Sequence, residues 1–292
     1  MISELSLIIL NYNSADDTIS CVNNLLSFKK DFNIIIVDNY STDNSYSLLS
    51  VEFSKMDNID LIKSSLNKGY SAGNNVGIKF ALQKYGSKYI GILNPDVIVT
   101  NPDVLIKIVN TLENNDNISI CGASIINYPD RYSSRNSGWM LPTSKSLVID
   151  FFIKNKINGK NADQQKIIGD KLAGVDCVGG CFFIAKSSFM KKINFFDEGV
   201  FLFEEENILG IKSKRLGFTE AICLDQFCYH NHKHSNKVVL KKQLSTFKIA
   251  YESRKYLAKK YYSKKIVPSL YLVYKINVFY SIVSYYVKGK FI

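Results

Sequence analysis

The chain has 292 residues, 46% of them hydrophobic and 22% charged, which supplies a sizeable core and argues against intrinsic disorder. Its formal net charge of +11 is unevenly placed: Lys241–Ile292 carry 12 Lys/Arg against one acid, Glu252, while residues 1–240 carry 25 of each sign. A neutral body with a basic end excludes a globally basic nucleic-acid binder, so no nucleic-acid partner is expected, and points to an anchor or docking arm.

The N-terminal run MISELSLIIL holds Glu4 and no base, and it leads into Asn11-Tyr12-Asn13. It reads as a buried first strand, not a signal peptide. Leu5–Leu10, Ile34–Val37 and Tyr89–Leu93 are short apolar runs without alternation, as in strands buried on both faces of a parallel sheet. Helix-like stretches separate them, roughly Asp16–Phe28 (capped by Ser14 or Asp16), Ser45–Phe53 (capped by Thr42 or Asn44) and Ala72–Tyr85. Strands alternating with helices predict βαβ units and an α/β sandwich. Ligands in such sheets bind at the carboxyl ends of strands. Here those ends carry Asn11 and Asn13, Asp38 and Asn39, and Asn94 and Asp96. Each alone reads as a solvated loop; three in one half-domain point to a shared ligand site.

From Arg131 to about Lys171 the sequence is polar and irregular around Trp139, and reads as a long insertion or loop. Patterning returns at Val175–Ala185, read as one strand around Gly179-Gly180. The six cysteines (Cys21, Cys121, Cys177, Cys181, Cys223, Cys228) form no CxxC pair and no zinc spacing, consistent with reduced structural thiols in a cytosolic compartment. Lys241–Tyr262 alternates bases with apolar residues at helical spacing, Pro268 interrupts, and Ser269–Val287 is apolar and tyrosine-rich, broken only by Lys275. A stretch of about 20 residues is long enough to span a bilayer, but the Pro, Lys and Tyr suit an interfacial helix better. A helical hairpin packed on the body is the alternative.

The ordered set ILNYN, VDNYSTDNS, NKGYSAGNNVG, LNPDV, GGCFFIAK, FDEGVFLFEEEN and HNHKHS resembles the family 2 glycosyltransferases of the GT-A fold, in particular the rhamnosyl- and galactofuranosyltransferase branch, over about Leu5 to Arg254. The resemblance implies a GT-A α/β fold with a catalytic domain over 1–240, a donor half to about 125 and an acceptor half over 126–240; the basic, aromatic pattern of 241–292 adds a C-terminal helical membrane-associating segment. It implies an inverting, metal-dependent transfer from a nucleotide-diphospho-sugar to a lipid-linked bacterial surface glycan, by an enzyme peripheral on the cytoplasmic face of the plasma membrane. The donor suggested by Asn94-Pro95-Asp96 is dTDP-L-rhamnose, with UDP-galactofuranose or another UDP-hexose as the alternative. A catalytically degenerate nucleotide-sugar-binding partner is a further reading, and the oligomeric state is open between monomer and homodimer.

The chemistry assigns roles within that resemblance. Asn11, Asn13 and Asp38 would form the donor-base pocket, with Asp38 accepting from a pyrimidine N–H; an Asx-turn is its plain alternative. Asn67, Lys68, Gly69 and Asn74 belong to a glycine-rich loop entering a helix, where close backbone approach and helix N–H groups suit a nucleotide. Asn94 and Asp96 stand for the Asp-x-Asp motif, with Asp96 and His230 as ligands of a divalent cation, Mg²⁺ or Mn²⁺, that offsets diphosphate charge. Arg254 aligns near the diphosphate or acceptor, or is a helix-surface residue. Glu206 aligns with the general base that takes the acceptor hydroxyl proton, and Glu205 takes that role if the register slips by one. Trp139, Asp197 and Glu198 are placed at the acceptor, with a structural role weighed equally for the last two.

Overall fold

The computed structural model describes residues 2–128, 137–152, 166–231 and 239–287. The first half follows the apolar runs: β1 (Leu5–Asn11), α1 (Ala15–Leu26), β2 (Asn33–Asp38), α2 (Ser45–Phe53), β3 (Ile59–Lys63), α3 (Tyr70–Lys84), β4 (Tyr89–Leu93), β5 (Val97–Val99), α4 (Pro102–Glu113) and β6 (Ile118–Tyr128). There follow β7 (Gly138–Trp139), α5 (Ser144–Ile149), β8 (Lys166–Gly169), β9 (Leu172–Val175), β10 (Cys177–Val178), β11 (Phe182–Lys186), α6 (Ser187–Lys192), α7 (Glu205–Arg215), β12 (Thr219–Asn231), α8 (Leu240–Tyr261) and α9 (Val267–Val287).

The main sheet runs β3-β2-β1-β4-β11-β6-β12-β9-β8, with β5 paired to β12 off this path. β1 is parallel to β2 and β4, and β2 to β3. The antiparallel β11 joins β4 to β6. Side chains alternate along β1: Leu5, Leu7 and Ile9 face a core built with α1, α2 and α4, while Ile8 faces a second core with α3, α6 and α7. Two buried faces explain the unbroken apolar runs, each fully buried Leu or Ile stabilising by about 1.5–3 kcal/mol.

Two expectations change. Val175–Ala185 is not one strand. After β9 the chain turns at Asp176, whose carboxylate accepts from Leu141 N and from the Lys214 ammonium. β10 then leaves the main sheet to pair β7, and Gly179 N donates to Ser137 O. The Arg131–Lys171 segment is not wholly irregular, since it contains β7, α5 and β8; residues 129–136 and 153–165 lie outside the described residues, as do His232 and His234. Pro268 sits in the first turn of α9, where its missing N–H costs nothing.

The basic end is a helical hairpin. Tyr251 of α8 stacks on Tyr274 of α9 at 4.8 Å, beside Leu270 and Val273. α8 is fastened to the body at several points. Ser253 Oγ donates to Leu202 O, and Tyr256, Lys260 and Tyr261 all donate to the Asp197 carboxylate.

Candidate active site

Two clefts open along the carboxyl edge of the first-half strands and share Tyr70, Asn94 and Leu202. The larger, about 920 Å³, lies between the ends of β1 and β4, the glycine-rich loop and the first turns of α8; Asn39, Asn67, Gly69, Asp96, Lys241 and Lys242 are among its walls. The second, about 600 Å³, is bounded by Trp139, Gly179–Cys181, the Glu204–Asn207 turn, His230 and Arg254. α8 roofs both.

The glycine-rich loop is shaped by contact with the segment before α7. Gly69 has φ +95°, and a Cβ there would stand 2.1 Å from Phe201 O, so only glycine allows the approach. Tyr70 N donates to that same carbonyl at 2.9 Å. Asn67 Oδ1 accepts from Gly69 N and from Asn39 Nδ2, holding the loop over the cleft. Asn75 bonds both N–H and C=O of Phe196 and donates to Glu198.

β5 pairs β12 antiparallel with His230 opposite Val97, so Asp96 arrives beside His230. Asn231 N donates to Asp96 O, and Asp96 Oδ1 lies 3.3 Å from His230 Nε2. A carboxylate and an imidazole at this spacing are a fitting donor pair for a divalent cation whose other ligands come from substrate oxygens and water. No group of three or more His, Cys, Asp or Glu suited to a metal occurs among the described residues, so the diphosphate itself would have to complete the sphere.

Glu204, Glu205 and Glu206 occupy the start of α7, where carboxylates complement the helix dipole. Phe203 and Glu204 both have positive φ, 74° and 72°, a sharp and strained entry. The buried Glu204 carboxylate is taken by Arg254 Nε at 2.6 Å and Asn207 Nδ2 at 2.6 Å. Asn207 in turn accepts from Trp139 Nε1 at 3.0 Å, so one network fixes the Trp139 ring in the cleft. Glu206 is half-buried and accepts from Gly180 N at 3.2 Å. Burial, with a smaller contribution from Glu204, pushes its pKa up, and the Gly180 N–H pulls it down. Glu205 is buried, its Oε1 has no hydrogen-bond partner, and burial followed by repulsion from Glu206 pushes it up to about 8. Tyr70 OH donates to Gly180 O at 2.7 Å, tying the glycine-rich loop to the carboxylate that Gly180 supports.

Of the residues singled out in the sequence, Asn67, Gly69, Asn94 and Asp96 line the first cleft, and Asn94, Trp139, Glu205, Glu206, His230 and Arg254 the second. Others stand back. Asp38 is fully buried; its two oxygens accept from Asn11 Nδ2 and Ser41 N, because the parallel register places Asn11 opposite it. It braces the strand ends. Asn13 pairs with Ser41 and Thr42 at the surface, and Asn74 is buried in α3, donating to Tyr70 O. Lys68 and Glu198 border a separate small pocket. Asp197 is taken up by the α8 side chains. Arg254, at the wall of the second cleft, donates to Glu204 and to Leu147 O. Tyr70, Asn207, Lys241 and Lys242 were not singled out, and Glu204 entered only as a member of the acidic triplet 204–206. The two lysines had a signal, lying at the start of the basic segment; Asn207 had none, since its partner Trp139 is 68 residues away.

Residues 6–191 match the model of glycosyl transferase family 2. The chain belongs to that family. It is 28% identical over 232 residues, 79% of the chain and 68% of the relative, to the low-salt glycan biosynthesis hexosyltransferase Agl10 of Haloferax volcanii. It is 24% identical over 238 residues, 78% of the chain and 84% of the relative, to the rhamnosyltransferase WbbL of Escherichia coli K12. Among solved structures it resembles the mannosyltransferase PcManGT of Pyrobaculum calidifontis in complex with GDP-Man and Mn²⁺, with TM-score 0.59 and 12% identity over 96% of this chain and 73% of that one. The fold is therefore GT-A, and this family 2 member is a glycosyltransferase.

Proposed function

We propose that this glycosyltransferase moves a hexose, L-rhamnose from dTDP-L-rhamnose in the first instance, onto a lipid-linked surface glycan with inversion at the anomeric carbon. The observation that carries the proposal is the junction of the two clefts: Asp96 and His230 stand on one side, and the Glu205–Glu206 pair stands in the cleft that shares Asn94 and Tyr70 with the first. The donor diphosphate lies in the larger cleft, with Lys241 and Lys242 supplying positive charge. A divalent cation on Asp96 and His230 would offset phosphate charge and stabilise the leaving diphosphate. Support for a nucleotide-sugar and a cation comes from PcManGT, solved with GDP-Man and Mn²⁺, and for rhamnose from the likeness to WbbL.

The acceptor sits in the second cleft against Trp139. Its hydroxyl oxygen forms a bond to the anomeric carbon as the bond from that carbon to the diphosphate oxygen breaks, and the proton passes to Glu206. Glu206 is the base because its carboxylate is fixed by Gly180 N–H and half-exposed in the cleft, whereas Glu205, pushed to about 8, keeps its proton at neutral pH. The C-terminal hairpin holds the enzyme on the cytoplasmic face of a membrane, where lipid-linked acceptors reside.

Calorimetric titration of dTDP, UDP and GDP, with Mn²⁺ or with chelator, on the wild type and on Asp96→Ala tests the donor site. Tight binding of one nucleotide that needs both the metal and Asp96 is the expected result. A UDP preference transfers the proposal to a UDP-hexose donor, and binding of none of the three overturns it.

A further inference from the structure

α9 carries two opposite faces. Leu270, Val273, Asn277, Ser281 and Ser284 are buried, and they fall on one arc of the helix at 3.6 residues per turn. Leu272, Ile276, Phe279, Val283 and Tyr286 fall on the opposite arc, at spacings of four and three, and all are exposed; Leu272, Phe279 and Tyr286 stand 61, 70 and 75% open. This stripe runs about 21 Å along the helix, from a rise of about 1.5 Å per residue. A lone exposed leucine needs no explanation, but a continuous apolar and aromatic stripe marks an interaction face.

The geometry points to an in-plane membrane face: α9 lies flat in the headgroup zone of an anionic bilayer, with the Leu272–Tyr286 stripe inserted and the catalytic body above it. This rests on the reading of the chain as a membrane-docked transferase and names the docking face and its orientation. Lys264–Val287 is long and apolar enough to cross a bilayer by length and composition, yet its buried arc opposes crossing. Asn277 Nδ2 donates to Phe151 O at 2.6 Å, and Ser281 and Ser284 are enclosed with it. Threading the helix through a bilayer would strip these groups from the body and expose them to hydrocarbon, where unsatisfied polar groups are costly. Lying in the plane keeps every one of these contacts and removes the stripe from water.

Charge selects the occupant. No acid lies between Glu252 and Val287, while the exposed Lys259, Lys264 and Lys265 precede α9 and Lys275 lies on it. Lys275 Nζ sits 5.3 Å from the Tyr271 ring centroid, an amphipathic pairing suited to an interface. Exposed bases on α9 and in the residues leading into it, beside an apolar and aromatic face and with no acid among them, complement anionic headgroups. A second copy of the chain would set the same lysines against one another.

The test uses the full chain and vesicles of phosphatidylcholine with and without phosphatidylglycerol. Sedimentation should show binding to the anionic vesicles, lost at least tenfold in Phe279→Asp and weakened about fivefold for each of Lys264→Ala and Lys265→Ala. Nucleoside diphosphate binding, measured in the same preparations, should not change, which separates this proposal from that for the donor site. Tryptophans placed singly at Leu272 and Tyr286 should be quenched to equal, shallow depth by brominated lipids. Depths differing by the length of the stripe mean a spanning helix and overturn the proposal. So does a wild type that ignores both vesicle types, whether light scattering finds a monomer or a dimer that Phe279→Asp dissociates.

Discussion

Glu205 and Glu206 are neighbours in sequence with different surroundings. Glu206 keeps a backbone donor and partial exposure, whereas an oxygen of Glu205 is buried without a partner. Replacing Glu206 by Gln should lower kcat by about 10²–10⁴, the usual range for a general base, with nucleotide affinity unchanged in calorimetry. Because burial raises the Glu206 pKa, the acidic limb of the kcat/KM profile should lie above the pH at which an ordinary glutamate ionises. Glu205 carries a stability signature. Its folded pKa, about 8 against an ordinary 4.5, makes the folded state hold a proton that the unfolded state releases. The stability this group contributes is thus fully present below about pH 4.5 and is lost progressively as the pH rises towards 8. Glu205→Gln should melt like the wild type at pH 4.5 and at higher temperature at pH 8; equal melting at both would remove the buried-acid account. The acidic triplet was legible in the sequence as the candidate place of a base, with Glu206 put ahead of Glu205 by alignment. The surroundings that separate the three were not, because they depend on Arg254 and Asn207 binding Glu204 and on Gly180 supporting Glu206.

The turn from Phe201 to Glu204 is compressed between two elements. The glycine-rich loop abuts it at Gly69, and α8 abuts it through Ser253 and Arg254. Arg254→Ala leaves Glu204 buried and unpaired, and chemical denaturation should record a loss of about 3 kcal/mol, as for one partner removed from a buried pair. In a double-mutant cycle, Glu204→Gln should recover part of that loss; additive losses would mean the pair is not coupled. Gly69→Ala cannot keep the present backbone and should lower the melting temperature and donor affinity together. Strands β1, β2 and β4 were legible because burial on both faces leaves an unbroken apolar run. β7, β10 and the end of β9 were not, since side-chain bonds from Asp176 and Glu220 bend a stretch whose composition suits one strand. Asp38 shows the same limit: its strand-end position was readable, but its burial against Asn11 follows from register.

The excess positive charge lies on the hairpin that roofs the clefts, not on the sheet. If the proposed nucleotide and cation bind only the folded form, a hundredfold excess over Kd should add about 2.7 kcal/mol to stability. The resulting thermal shift should shrink in Asp96→Ala and in the double variant Lys241→Ala, Lys242→Ala, while Lys264→Ala, which lines neither cleft, should leave it intact. If all three variants shift alike, neither Asp96 nor the lysines touch the ligand.

The wall that α8 gives the larger cleft is contributed by residues that follow every strand of the sheet in sequence. Domains fold as they emerge from the ribosome, N-terminal parts first, and the sheet with Asp96 and Glu206 is complete in sequence before α8 has been translated. A growing chain therefore presents Asp96 and Glu206 before the larger cleft is closed. It acquires that closure only as the hairpin appears, so under the proposed reading one late step of translation both closes the cleft and adds the docking face.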